Sequence, residues 1–370
     1  MKILQKIILI FILFINSFGS AQSIRYEKNI VKKLTSKSFY GRGYINNGMN
    51  KSADFVAKKF KQNNLKSFQG NYFQVFDFPI NVIENAELTL NDKKLIYGTD
   101  FIVNPNSKSI NYPTIDSDKN DLILTFDSTK LISSLSQEQA PKAEFFIHNK
   151  FSSNNLKINQ AKIESSLKSK FEAKNIIGYI EGENSDSLIV VTAHYDHLGM
   201  VGEHLFPGAN DNASGLAMLL GLAKYYNKNK PKNTLVFIAF AAEEAGLLGS
   251  DYFVHNPLFD LKKIKFLINL DILGTGDEGI QVVNSTIFKK EYSLLNSINQ
   301  NKKYLPQIKT RGEACNSDHC PFYSLGIKSF YIYTLGGKSY YHDTKDDYKS
   351  LTFKKFKDIK QLLIDFIKVI

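Results

Sequence analysis

From Asn175 onward the chain alternates short apolar runs with amphipathic stretches, and this rhythm restricts the possible folds more than any other feature. The runs are Ile176–Ile180, Leu188–Ala193, Leu235–Phe240, Phe266–Leu270 and Phe330–Tyr333. Continuous apolar runs of this length suit strands covered on both faces. Between them, Ala213–Tyr226, Glu244–Val254 and Phe288–Asn299 carry helical spacing. Alternation of this kind predicts an α/β fold, a three-layer α/β/α sandwich with a mixed, largely parallel central sheet. In such sheets ligands bind beyond the carboxyl ends of the strands.

Upstream, the segment from Glu27 to Asn64 is helical with a break at Tyr40-Gly41-Arg42-Gly43. Ala53, Val56, Ala57 and Phe60 share one helical face. From Phe73 to Phe101 the apolar period shortens toward two, which predicts strands. Residues 79–170 read as a small β-rich insertion or lid, with one helix near Ala161–Lys168. The expected division is a signal peptide over 1–21, an N-terminal part of the main domain over 22–78, the insertion, and the rest of the main domain over 171–370.

The first residues read as an address. Lys2 and Lys6 precede the apolar run Ile7–Ile15, and Gly19-Ser20-Ala21 offers the small residues that a signal peptidase accepts. The run is short of the ~20 residues that span a bilayer. We therefore expect an exported chain, periplasmic or secreted, without stable membrane insertion after cleavage, and a monomer. With 43% hydrophobic residues the chain can bury a large core. The formal charge of +11 comes mostly from lysines scattered among asparagines, with no basic stripe, so no nucleic-acid partner is expected. Cys315 and Cys320 lack the paired spacing of a structural zinc site, and in an oxidising compartment they could close a small disulfide loop.

The chemistry gathers where strands end. Val190–Ala193 leads into His194-Tyr195-Asp196, Phe237–Phe240 leads to Glu243-Glu244, and Leu267–Leu270 ends in Asp271. Gly208-Ala209-Asn210-Asp211-Asn212 precedes a helix, and Tyr341-His342-Asp343 follows the last strand. Two anions ~4 Å apart repel by roughly 4 kcal/mol at an effective dielectric near 20, so Asp211, Glu243, Glu244 and Asp271 need cations if they cluster. Imidazole with carboxylate is a zinc ligand set, and this supply suits two ions better than one.

The ordered series His194-x-Asp196, Gly208-Ala209-Asn210-Asp211-Asn212-Ala213-Ser214-Gly215, Glu243-Glu244, Asn269-Leu270-Asp271 and Tyr341-His342 resembles the M28 family of co-catalytic zinc peptidases, typified by bacterial secreted aminopeptidases. The similarity covers about Ile24–Phe78, including Gly41-Arg42-Gly43, and Asn175 to the end; the insertion does not match. The resemblance implies two Zn2+ ions, the first on His194 and Asp271, the second on Glu244 and His342, with Asp211 bridging both. It implies Glu243 as general base toward a water shared by the ions, Asp196 as the group orienting His194, and Tyr341 as a donor to the oxyanion. A cis peptide at Asp211-Asn212 is a further family expectation. The substrates would be peptide or protein N-termini, the free amine bound among the site carboxylates.

Other polar residues take plainer readings. Asp318, in Ser317-Asp318-His319, is expected to be structural or to flank the site, and His319 is not expected to bind metal. His148, His197, His204 and His255 are read as ordinary surface or loop residues, and Tyr331 and Tyr333 as core. The alternatives are a glutaminyl-cyclase-like acyltransferase with a single zinc and a non-catalytic peptide-binding ectodomain. Asn-Asp-Asn-Ala-Ser-Gly and the absence of tryptophan weigh against the first, and an intact ligand set weighs against the second.

Overall fold

The computed structural model describes residues 21–113, 120–127, 130–338 and 340–370. The expected signal peptide lies outside these except for Ala21, which opens helix α1. In chain order the helices are α1 (Ala21–Leu34), α2 (Gly48–Gln62), α3 (Gly215–Tyr226), α4 (Leu248–His255), α5 (Lys289–Lys302), α6 (Cys320–Ser324) and α7 (Phe356–Val369). The strands are β1 (Phe73–Leu90), β2 (Lys93–Lys94), β3 (Phe101–Val103), β4 (Ile110–Tyr112), β5 (Leu122–Asp127), β6 (Ala143–His148), β7 (Ile158–Ile180), β8 (Asn184–His194), β9 (Met200–Val201), β10 (His204–Leu205), β11 (Asn233–Phe240), β12 (Ile264–Leu270), β13 (Ile280–Val283), β14 (Ile308–Thr310) and β15 (Ser329–Thr334).

The main sheet runs β14-β13-β15-β12-β8-β11-β7-β1-β2. Its centre, β15-β12-β8-β11, is parallel, so four carboxyl ends open on one edge. Antiparallel pairing flanks this centre at β13 and β7, which makes the sheet mixed. Alternation within each strand explains the three layers. Ile189, Val191 and Ala193 of β8 join one core with residues of α1, α2, α3 and α7. Leu188 and Val190 join another with Phe253 of α4 and Phe322 of α6. Every residue of β11 is buried, as expected for a strand with both faces covered.

The β-rich segment grows out of the sheet edge. β1 and β7 pair antiparallel from Phe73↔Ile176 to Leu90↔Ile158, bending at register shifts that include the step past Pro79, where a proline can sit without breaking a ladder bond. The far ends of this ribbon carry β2 and β4, beside a separate sheet β3-β6-β5. The resulting core includes Leu198, Val201 and Phe206 from the segment after β8, which holds β9 and β10, so the lobe is packed onto the segment that leads from the sheet edge.

One expectation fails here. Ala161–Lys168 is not a helix but the middle of β7. Its lysines, glutamate, alanine and leucine favour a helix locally, but Ala161 and Ile163 point into the lobe core and pair with Leu88 and Ala86. Pairing with a strand some 75 residues away overrides local preference, and single-sequence periodicity does not report it. Cys315 and Cys320 are joined in a disulfide.

Candidate active site

His194 is the last residue of β8, and its imidazole is buried. Asp271 follows β12 directly and is fixed by a relay from the neighbouring strand. Thr192 Oγ1 donates to Asn269 Oδ1 (2.7 Å), Asn269 Nδ2 donates to Ser317 Oγ (2.8 Å), and Ser317 Oγ donates to Asp271 Oδ2 (2.9 Å). This leaves Asp271 Oδ1 turned to His194, 3.4 Å from Nε2.

Asp211 sits in a loop whose polar residues are stitched to the end of β12. Asn212 Nδ2 donates to Leu270 O (2.9 Å), Leu273 N–H donates to Ser214 Oγ (2.7 Å), and Gly274 N–H donates to Asn210 Oδ1 (2.7 Å). Asn212 Oδ1 also accepts from Gly215 N–H (2.9 Å), which caps the start of α3. The Asp211-Asn212 peptide is cis.

Arg42 supports the loop from below. It is fully buried, donating to the carbonyls of Tyr195 (2.9 Å), Pro207 (2.6 Å) and Gly208 (2.7 Å). Gly41 permits this approach: it has φ +61°, and a Cβ there would lie 2.1 Å from the Gly199 carbonyl oxygen.

Glu243 and Glu244 follow β11, and Asp196 accepts from their backbone amides at 3.2 and 3.3 Å. Asp196 Oδ1 lies 3.7 Å from His194 Nδ1, beyond hydrogen-bond range, so its close contacts hold the glutamate turn rather than the imidazole. His342 reaches the site from the loop after β15. Its Nδ1–H donates to the carbonyl of Ser133, 2.8 Å away in the β-rich lobe. Tyr341 stacks on the His342 ring at 3.8 Å between centroids and is 46% exposed.

These residues converge into two tripods. His194 Nε2 stands 3.3 Å from Asp211 Oδ1, while His342 Nε2 stands 3.4 Å from Asp211 Oδ2 and 2.9 Å from Glu244 Oε2. Asp211 thus turns one oxygen toward each histidine. Glu243 Oε2 lies farther off, 3.9 Å from His194 Nε2. Two ligand atoms each ~2.1 Å from one tetrahedral zinc stand about 3.4 Å apart, so the spacings fit. His194 Nε2, His342 Nε2 and Asp271 Oδ1 are buried with no hydrogen-bond partner among the described residues, as donors aimed at a cation would be. The ligand atoms of His194, Asp211 and Asp271 lie within 4.8 Å of one another, as do those of His197, Asp211 and Glu244.

Protein charges alone leave the groups far from their ordinary protonation. Burial, with Glu244, Asp271 and Asp318 adding to it against His194, raises Glu243 well above the carboxylate range. Burial would lower His342, but Glu244 and Asp211 outweigh it and push the imidazole up to about 11. For Asp211, the pull of burial toward the acid form is overcome by the imidazoles of His194 and His342 beside it, which hold it well below its usual value. Beside Asp211 and Tyr341 opens a cleft of about 290 Å³, with Ile272, Thr275 and Thr334 on its walls.

A model of peptidase family M28 matches residues 175–367, more than half of the chain. The chain belongs to this family. Aminopeptidase YwaD of Bacillus subtilis (strain 168) is 35% identical over 162 residues, 42% of this chain and 34% of that protein. A vacuolar membrane protease of Candida glabrata is 28% identical over 188 residues, 48% of this chain and 18% of its own length. The chain thus spans about a third or less of these curated relatives. BSAP, a zinc aminopeptidase from Bacillus subtilis, shares the fold at a TM-score of 0.67 with 18% identity, covering 93% of this chain and 94% of that one. The peptidase M28 precursor from Shewanella amazonensis SB2B does so at a TM-score of 0.69 with 14% identity, covering 95% and 94%.

Two site residues were missed in the sequence. His197, read as an ordinary surface or loop residue, is completely buried, with Nδ1 2.6 Å from Glu244 Oε1. It is the fourth residue of His194-x-Asp196-His197, and that proximity to a strand end was its one signal. Asp346, four residues after His342, accepts from the amides of Asn210 (2.9 Å) and Asp211 (3.0 Å) and so pins the Asp211 loop. His319 is buried and donates from Nε2 to Ala314 O (2.8 Å), away from the two tripods. Burial lowers it to about 4, which keeps it neutral. Tyr331 is buried as expected, and burial, with Asp271, Asp211 and Glu243 adding to it, raises its hydroxyl pKa well above the ordinary value.

Proposed function

We propose that the chain is an exported zinc exopeptidase, an aminopeptidase that cleaves the first peptide bond of peptides and protein N-termini. The observation that carries the reading is the pair of tripods joined through Asp211, at spacings that suit two tetrahedral ions. His194, Asp271 and one oxygen of Asp211 would hold the first ion; Glu244, His342 and the other oxygen of Asp211 would hold the second. Two such ligand sets favour this reading over a single-zinc acyltransferase. Bound zinc supplies Lewis acidity, polarising the scissile carbonyl and easing loss of a proton from water.

The protein residues do the rest. The Glu243 side chain, 12% exposed, has a raised affinity for a proton, the condition for a base that accepts one from water and returns it to the leaving amine. Asp196 holds the backbone of Glu243 and Glu244 so that both carboxylates face the site. Tyr341, at the mouth of the cleft, would donate a hydrogen bond from its hydroxyl to the developing oxyanion. A free α-amine fits among the carboxylates, which gives the preference for unblocked substrates.

Residues 1–21 would direct export, and a disulfide at Cys315–Cys320 agrees with an oxidising compartment. Among the described residues no helix is long and apolar enough to cross a membrane. The chain would work as a monomer, with residues 79–170 as a lobe on a main domain formed by 22–78 and 171–370. Hydrolysis of matched aminoacyl amides, free and acetylated at the amine, tests the activity. The free amides should be cut faster by a factor on the order of 100 or more, and equal rates would remove the exopeptidase reading.

A further inference from the structure

We infer that His197 is a positioning residue for the second tripod: it occupies one carboxylate oxygen of Glu244, so that Glu244 presents only Oε2 to the ion it would share with His342 and Asp211. The inference rests on the two-ion reading above.

The geometry divides Glu244 between two imidazoles. Oε1 lies 2.6 Å from His197 Nδ1, and Oε2 lies 2.9 Å from His342 Nε2. An ionised carboxylate only accepts, so Nδ1–H donates. The His197 ring has little freedom to do otherwise. Its backbone N–H donates to the Arg42 carbonyl (3.3 Å), and its ring meets the His342 ring edge to face at 5.8 Å. Gly208 lies so close that a Cβ there would come within 2.5 Å of His197 Cδ2. Nε2, on the other edge of the ring, has no hydrogen-bond partner among the described residues, so Nδ1 makes the ring's polar contact.

A glutamate without this contact could turn both oxygens to one ion or swing its carboxylate away. Held at Oε1, it keeps a single orientation, the service that outer hydrogen bonds commonly perform for metal ligands. The rival role is direct ligation by His197, whose ligand atom lies within 4.8 Å of those of Asp211 and Glu244. The two roles separate by substitution. An Asn side chain can place an N–H near the position of Nδ1 but is a poor zinc ligand, whereas Gln reaches toward the position of Nε2.

The test is titration of the metal-free full chain with Zn2+ against a competing chelator, for wild type, His197→Leu, His197→Asn and His197→Gln. His342→Ala marks which of the two dissociation constants belongs to the second tripod. We expect His197→Leu and His197→Gln to weaken that constant by about 10- to 100-fold and leave the other unchanged. His197→Asn should stay within a few-fold of wild type. Unchanged constants in His197→Leu, equal weakening of both ions, or an Asn variant as weak as the Leu variant would each overturn the inference. If His197→Leu does not fold, the Asn and Gln pair makes the same discrimination. A wild-type chain that takes up fewer than two ions would instead remove the two-ion reading itself.

Discussion

At the scale of single residues, the site is a set of buried charges whose protonation is governed by its neighbours. Burial and adjacent anions drive Glu243 toward the acid form, as they do Asp271, and His194 Nε2 stands farther from Glu243 (3.9 Å) than from Asp211 (3.3 Å). Replacing Glu243→Gln keeps shape and volume but removes the proton acceptor. Turnover should fall by about 10²- to 10⁴-fold while zinc content, measured by elemental analysis, stays at the wild-type level. A second expectation follows from His342, raised to about 11 by Glu244 and Asp211 against the opposing effect of burial. The imidazole is then protonated at neutral pH without metal, whereas a zinc ligand must be neutral. Zinc uptake should therefore release protons, and apparent affinity should climb as pH rises from about 7 toward about 11. Calorimetry in buffers of different ionisation enthalpy reads this directly. The sign for the metal-free fold is the opposite. Stabilisation from protonated His342 is complete below its ordinary value and is lost as pH rises through about 11. His194, Asp211, Glu243, Glu244 and Asp271 were legible because each stands close to where an apolar strand stops or a helix starts, and His342, in a loop, through the resemblance carried by the order of the motifs. His197 and Asp346 were not, because a histidine or aspartate in a loop has the same appearance in sequence whether it faces water or a ligand.

At the scale of elements, the site is assembled by contacts between segments remote in sequence. The turn Lys37–Arg42 is tied through the Arg42 guanidinium to the end of β8 and to the loop before Asp211. Burial lowers Arg42 only to about 10, so it stays cationic at neutral pH beneath the carboxylates. Arg42→Met would remove the guanidinium donor from the carbonyls of Tyr195 and Pro207, leaving Gly208 O only its bond from Ala213 N–H. We expect a loss of about 3–5 kcal/mol in urea unfolding of the metal-free chain, and a loss under about 1 kcal/mol would refute this role for Arg42. The break at Tyr40–Gly43 was visible in sequence from its glycines, but the partners of Arg42 were not, since they lie more than 150 residues away. The same blindness produced the false helix at Ala161–Lys168. Pairing with β1 decides that segment, and local composition points the other way.

At the scale of the molecule, four parallel strands bring their carboxyl ends to one edge, and the β-rich lobe packs on the segment after β8 that leads from it. The lobe also touches the site, since the carbonyl of Ser133 accepts from His342. The sheet was legible because strands buried on both faces leave unbroken apolar runs. The β-rich character of the lobe was legible, but its strand pairing was not, because its strands are half exposed, short or paired across long intervals. Catalysis as proposed requires Asp211 to join two ion sites, and zinc stoichiometry tests that most directly. Saturated wild-type protein, freed of loose metal by gel filtration, should hold two zinc ions per chain, and Asp211→Asn should weaken both. A saturated chain that holds one ion or none, or an Asp211→Asn variant that retains both at unchanged affinity, would contradict it.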